Sequence, residues 1–214
     1  MQASSTLVGV VIAGGRSLRF GGEKAVAPFA GRPLLLWAVE RLGRVCSRVA
    51  VNARPGTEAA ALTQSLGLQL LHDAPGDPDG PLSGVKAGLQ WAREAGAAAL
   101  AVCPCDVPLL PNDLHERLLA AAGHGAGHGA AMAETTEGRQ PMCAIWPASA
   151  LEVVTAALAA GEHPPTWRLL EQLGAAKVRF DATGAFSNLN TREDLERLET
   201  LYYQRQNSAT KPDG

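Results

Sequence analysis

Eleven consecutive residues, Gly14-Gly-Arg-Ser-Leu-Arg-Phe-Gly-Gly-Glu-Lys24, hold four glycines, two arginines and a lysine. Glycine lets backbone N–H groups approach an anion closely, and Arg and Lys add charge-assisted hydrogen bonds to phosphate oxygens. The stretch therefore reads as a phosphate cradle; the plainer alternative is a charged loop between a strand and a helix. Two common phosphate loops fit it poorly. There is no Gly-Lys-Ser/Thr of a P-loop and no Gly-x-Gly-x-x-Gly of a dinucleotide fingerprint.

A second stretch, Cys103-Pro-Cys-Asp-Val-Pro108, sets an acid between two prolines directly after an apolar run. Asp106 there suits a Mg²⁺ ligand, since Mg²⁺ takes one or two carboxylates and completes its shell with water and substrate phosphates. A turn or helix-cap role fits the same position. The two cysteines do not make a zinc site, because Cys46 and Cys143 supply no second spaced pair. Asn52 and Asp73 also follow apolar runs, where they are either ligand contacts or ordinary turn formers. Between Ala74 and Gly84 runs a Pro/Gly loop whose acids could repel phosphate or contact sugar and base. Other templates fail: His115-Glu116 lacks a second His four residues after the first, no Gly-x-Ser-x-Gly elbow occurs, and His124 and His128 have no evident acid partner.

These residues must be carried by elements, and the pattern alternates strand-like and helix-like segments. Leu7–Ala13 is a continuous apolar run, as in a strand buried on both faces of a parallel sheet. Pro33 opens a helix over Leu34–Arg44. Strand Val49–Asn52, helix Thr57–Leu66 ended by Gly67, strand Leu68–His72, helix Leu82–Ala95 and strand Ala97–Cys103 follow. Asn112 is expected to cap a helix reaching about Ala122. Beyond it, Gly123–Ala130 leads into a strand, Met142–Trp146 and Lys177–Phe180 are strands, and Ser149–Ala160 and Thr191–Gln206 are helices. The expectation is a three-layer, Rossmann-like α/β fold: a mostly parallel twisted sheet with helices on both faces. Ligands of such sheets bind outside the carboxyl ends of the strands. The chemistry-bearing residues above fall at those ends.

Composition agrees with that class. In 214 residues, 46% are hydrophobic and 19% charged, so a core of some size forms and a disordered polyelectrolyte is excluded. Nineteen Lys and Arg stand against 21 Asp and Glu, a net charge of −2 that argues against an obligate duplex binder. The longest aliphatic runs fall far short of the roughly 20 residues of a membrane span. Four scattered cysteines and an N-terminus without a basic leader suggest a reduced, cytoplasmic protein rather than a disulfide framework. One domain over 1–206 is expected, its two halves meeting near 110, with a frayed tail from 207.

Val11–Lys24 resembles the signature loop of nucleotidyltransferases of the sugar-nucleotide and cofactor type. Within them the sequence is most similar to molybdenum cofactor guanylyltransferases. Asp79–Gly88, Pro104–Pro111, Arg139–Trp146 and Ser187–Leu195 carry the likeness further, so that it spans about residues 7 to 201. It departs at Phe20 and Glu23, where the family usually has Met and Asp, and at Glu162–Trp167, where the family has an Arg-rich run. The resemblance implies transfer of GMP from GTP to the phosphate of molybdopterin, with release of pyrophosphate. It implies that Ile12, Ala13, Gly14, Gly15 and Lys24 hold GTP, that Asn52 and Asp73 line its pocket, and that Asp106 ligates Mg²⁺. Arg19 would join Lys24 and Asp106 in catalysis, and Gly84, Arg168, Asn188 and Asn190 would lie towards the pterin. Molybdoenzymes or cofactor-delivery proteins would be its protein partners, with no nucleic acid and no membrane. Rivals are transfer from CTP, transfer to a sugar-phosphate or phospholactate acceptor, and a non-catalytic molybdopterin carrier.

Overall fold

The computed structural model describes residues 7–15, 20–123, 129–159, 163–181 and 184–209. In chain order the elements are β1 (Leu7–Ile12), a one-turn 3-10 helix (Lys24–Val26), β2 (Pro28–Phe29), β3 (Arg32–Pro33), α1 (Leu34–Gly43), β4 (Arg48–Asn52), α2 (Glu58–Ser65), β5 (Gln69–Leu71), α3 (Pro81–Glu94), β6 (Ala99–Pro104), α4 (Leu114–Ala122), β7 (Ala131–Thr135), β8 (Gly138–Pro147), α5 (Ala150–Ala159), α6 (Thr166–Gln172), β9 (Ala176–Arg179) and α7 (Arg192–Ala209).

Seven strands form one sheet in the order β5-β4-β1-β6-β8-β7-β9. Among the described residues of this sheet only β8 runs against the rest: β6 and β7 both pair with it antiparallel, while its other pairings are parallel. The expected mostly parallel α/β sheet is thus the one found. β1 is flanked on both sides, by β4 and β6, which is why its sequence is apolar without alternation. Its side chains still divide between two cores. Leu7 and Val11 join α1, α2 and α4 on one face. Val8 and Val10 join α3, α5 and α6 on the other. A smaller cluster beside the sheet packs Phe29 of the β2–β3 hairpin against Leu198 of α7.

Several expectations are corrected. Asn112 does not cap α4: the cap position is Asp113, with no side-chain cap bond. The buried Arg41 guanidinium takes the Asn112 carboxamide oxygen as an acceptor instead, together with the carbonyls of Pro108 and Pro111. The strand read over Met142–Trp146 is twice as long, because its polar first half pairs with β7 in a hairpin. The hairpin β2–β3 and the helix α6 were not expected at all. The terminal helix continues to Ala209, past the expected start of the tail. Arg16, Arg19, His124, His128 and Glu162 lie outside the described residues.

Candidate active site

The ends of β1, β4, β5 and β6 all open on one side of the sheet, and a cavity of about 630 Å³ lies there. β1 delivers Ile12, Ala13, Gly14 and Gly15 to its wall, β4 delivers Asn52, β5 is followed by Asp73 and β6 by Asp106. The backbone binds these ends together: Ala13 N–H donates to the Asn52 carbonyl (2.9 Å) and Cys105 N–H to the Ile12 carbonyl (3.3 Å).

Lys24 and Asp106, 82 residues apart, meet here. The Lys24 ammonium donates to Asp106 Oδ2 at 2.9 Å and to Asn190 Oδ1 at 3.0 Å. Both partners of the ion pair are mostly withdrawn from solvent, at 13% and 27% side-chain exposure, so they are screened less than a surface pair. What aims Lys24 is the residue before it. The Glu23 carboxylate accepts from the Glu58 and Ala59 N–H groups (2.6 and 2.9 Å), the first turn of α2. Those N–H groups have no partner within the helix, and a carboxylate at a helix N-terminus also complements its dipole. Thr57 caps the same helix at Ala60 N–H. The Glu that departs from the usual Asp therefore fastens the end of the glycine loop to α2.

Asp106 is fixed from the far end of the chain. Its carbonyl accepts from Leu189 N–H (2.8 Å), which sets Asn188 on the cavity wall and Asn190 against Lys24. The turn is locked by Asp194, whose Oδ2 accepts from Asn190 and Thr191 N–H, both at 3.0 Å, while Thr191 Oγ1 accepts from Asp194 N–H. These donors hold the Asp194 carboxyl below its usual range, the backbone N–H of Asn190 above all.

At the opposite end, Asn52 is buried and its amide donates to Asp73 Oδ1 at 2.9 Å, orienting that carboxylate at the cavity. Gly84 on α3 makes this possible. A Cβ there would collide with the Asn52 carboxamide and press on Ile12. Gly84 thus backs Asn52 rather than lining the cavity. The Pro/Gly loop before α3 is held by a Lys86–Asp77 ion pair at 2.7 Å, both side chains nearly buried, and by Ser83 Oγ donating to the Pro78 carbonyl. His163 packs its ring on Gly80, filling the space a side chain there would need.

Arg168 lies elsewhere: exposed on α6, its guanidinium sits 5.8 Å from the Trp167 ring centroid and it does not line the cavity. Arg54, not singled out in the sequence, also lines it, and Asp79, Gln140, Pro141, Met142 and Cys143 join it from stretches that carried the likeness. Arg54 stands two residues past Asn52 and is the one cation that reading along the strand ends would have found. Cys103, Cys105 and Cys143 are buried thiols, and burial pushes Cys103 up to about 12 and the other two upward as well. Among the described residues no group of three or more His, Cys, Asp or Glu is placed to hold a metal by itself. Asp106, with no such group of ligands gathered around it, suits Mg²⁺ completed by substrate oxygens and does not suit zinc.

Known proteins resemble this chain in sequence and in fold. Residues 9–178 match the family model described as a MobA-like NTP transferase domain. A molybdenum cofactor guanylyltransferase of Cereibacter sphaeroides is 43% identical over 196 residues, 91% of this chain and 96% of the relative. One of Rhodobacter capsulatus is 37% identical over 198 residues, 90% and 95% of the two chains. Among solved structures, molybdopterin-guanine dinucleotide biosynthesis protein A of Archaeoglobus fulgidus superposes with a TM-score of 0.74 at 23% identity, over 92% of this chain and 99% of the other. A CMP:2-keto-3-deoxy-manno-octonic acid synthetase complexed with CTP gives 0.72 at 16% identity, over 94% and 100%. At those identities the two structures speak for the fold.

Proposed function

The chain belongs to the MobA-like NTP transferase family, and from that premise we propose that it transfers GMP from GTP to the terminal phosphate of molybdopterin, releasing pyrophosphate. The observation that carries this reading is the Lys24–Asp106 pair at the junction of β1 and β6, with cavity on both sides of it. Towards β4 and β5 the wall is Asn52 and Asp73, whose carboxylate can accept from the N1–H and N2–H groups of guanine. Towards β8 it is Gln140, Met142 and Asn188, the side left for the acceptor. On this reading residues up to about 110 form the nucleotide half and those from 111 the acceptor half of one sheet.

The reaction is attack by an acceptor phosphate oxygen on the α-phosphorus of GTP, with the phosphorus–oxygen bond to pyrophosphate breaking. Both reactants are anions, so bringing them together is the first cost. Lys24, aimed by Glu23 and Asn190, stabilises charge on the α-phosphate as it develops. The backbone of Ala13, Gly14 and Gly15 takes the phosphate chain. Asp106 is the residue that would hold Mg²⁺, which would neutralise phosphate charge when bound. A phosphate nucleophile is already ionised at neutral pH, so no general base is required, and none is needed from the buried His115.

Turnover of Lys24→Ala and Asp106→Ala tests the assignment. Each is expected to lose at least about 100-fold in kcat with an unchanged circular dichroism spectrum and a cooperative melt. Near-normal turnover by either variant would contradict it.

A further inference from the structure

The geometry points to Arg54 as a wall of the nucleobase site, its guanidinium plane stacked on the base of the bound nucleotide. Arg54 continues β4 past Asn52 and reaches two different loops. Its Nε donates to the Gly14 carbonyl at 3.0 Å, and its Nη2 donates to Asp79 Oδ1 at 2.9 Å. Two acceptors on separate segments hold the plane of the guanidinium, which a single contact would leave free to turn. The side chain is 37% exposed and borders both the main cavity and a cleft of about 210 Å³ behind the glycine loop. Among the described residues five other arginines lie over aromatic rings, and Arg54 is not among them. It is thus a fixed, planar cation on the wall of a ligand cavity.

The strand order says which part of the ligand it meets. Lys24 and Asp106 stand at β1 and β6, so the reacting phosphate lies there. β4 is the next strand after β1, and β5 the one beyond, about 14 Å from β6 at the usual spacing of neighbouring strands. A nucleoside laid across these ends brings its base to Asn52, Asp73 and Arg54. Asn52 and Asp73 present hydrogen-bonding edges, which read the rim of a base. A pinned guanidinium presents a face, which suits stacking and cation–π attraction. The same cation could instead meet the terminal phosphates, and the two roles differ in what binding they serve.

This inference rests on the nucleotide-transfer reading above, and affinities of GTP, GMP and pyrophosphate, measured by calorimetry for the full chain, separate the two. Arg54→Ala is expected to weaken GTP and GMP by the same factor, about tenfold, and to leave pyrophosphate unchanged. Arg54→Lys is expected to behave like Arg54→Ala, because an ammonium keeps the charge and loses the plane. Asp79→Asn, which weakens the pinning, should give a smaller loss of the same pattern. If Arg54→Ala does not fold, Arg54→Lys carries the test alone. A loss confined to GTP and pyrophosphate, an unchanged GMP affinity, or full recovery in Arg54→Lys would each overturn stacking. A wild-type chain that binds neither GTP nor GMP would overturn the proposed function and this inference together.

Discussion

Glu23 decides where Lys24 can point, although only Lys24 faces the cavity. Its carboxylate closes two N–H groups of α2, and removal of such a cap costs about 1 kcal/mol. Glu23→Ala is therefore expected to lower the melting temperature by a few degrees and kcat by more than the stability loss explains. Glu23→Asp, one carbon shorter, tests reach, and its kcat should fall between the two. The four cysteines make a second residue-scale prediction. All are buried, with Cys46 and Cys103 pushed up to about 12 by desolvation, so the native chain should not react with a thiol reagent at pH 7.5. All four should react once it is denatured, and rapid labelling of the native chain would contradict their burial. Position along the strand ends made the glycine loop, Asn52, Asp73 and Asp106 legible as candidates. The contact between Lys24 and Asn190, 166 residues apart, was not, since local spacing carries no information on such a pair.

At the scale of elements, α3 must approach β4 closely enough for Asn52 to reach Asp73, and Gly84 is the point of contact. Alanine in a helix ordinarily stabilises over glycine by roughly 0.5–1 kcal/mol. Here the added methyl meets the buried Asn52 carboxamide, and overpacking costs about 1–3 kcal/mol. Overpacking wins, so Gly84→Ala should melt earlier and bind GTP more weakly. Gly43→Ala, at the end of α1 with open space around it, should be neutral or slightly stabilising. A melt of Gly84→Ala above wild type would contradict the close approach. Most elements were readable from hydrophobic runs and from Gly and Pro punctuation. The reversed direction of β8 was not, because a buried strand looks the same in either sense. α6, which Pro165 precedes as N-cap, is only seven residues long, too short for a clear helical period. The hairpin β2–β3 is two residues a strand, too short for any periodicity.

For the whole molecule, the two cores on either face of the sheet hold the strand ends in register, and stability should follow the titration of what they bury. His115 is fully buried between α4 and β6, with its Nε2 3.1 Å from the Val102 carbonyl. Burial lowers its pKa to about 4, against the ordinary value of 6.5. Between those values the unfolded chain takes up a proton that the folded chain refuses. His115 therefore favours the folded state fully above about pH 6.5, and this is lost as the pH falls towards 4, a few kcal/mol at most. His115→Leu should flatten the acid side of the stability curve in that window, as read by urea unfolding at pH 7, 6, 5 and 4. An equally steep fall in the variant would assign the acid sensitivity to other groups.

The central claim is that this site moves a guanylyl group, and label transfer measures it most directly. Wild-type chain with Mg²⁺ and molybdopterin is incubated with GTP or CTP labelled at the α-phosphate. The account predicts label on the pterin from GTP, with one pyrophosphate per transfer, far less from CTP, and none from Asp106→Ala. Equal or greater transfer from CTP, or no transfer from either nucleotide, would contradict it.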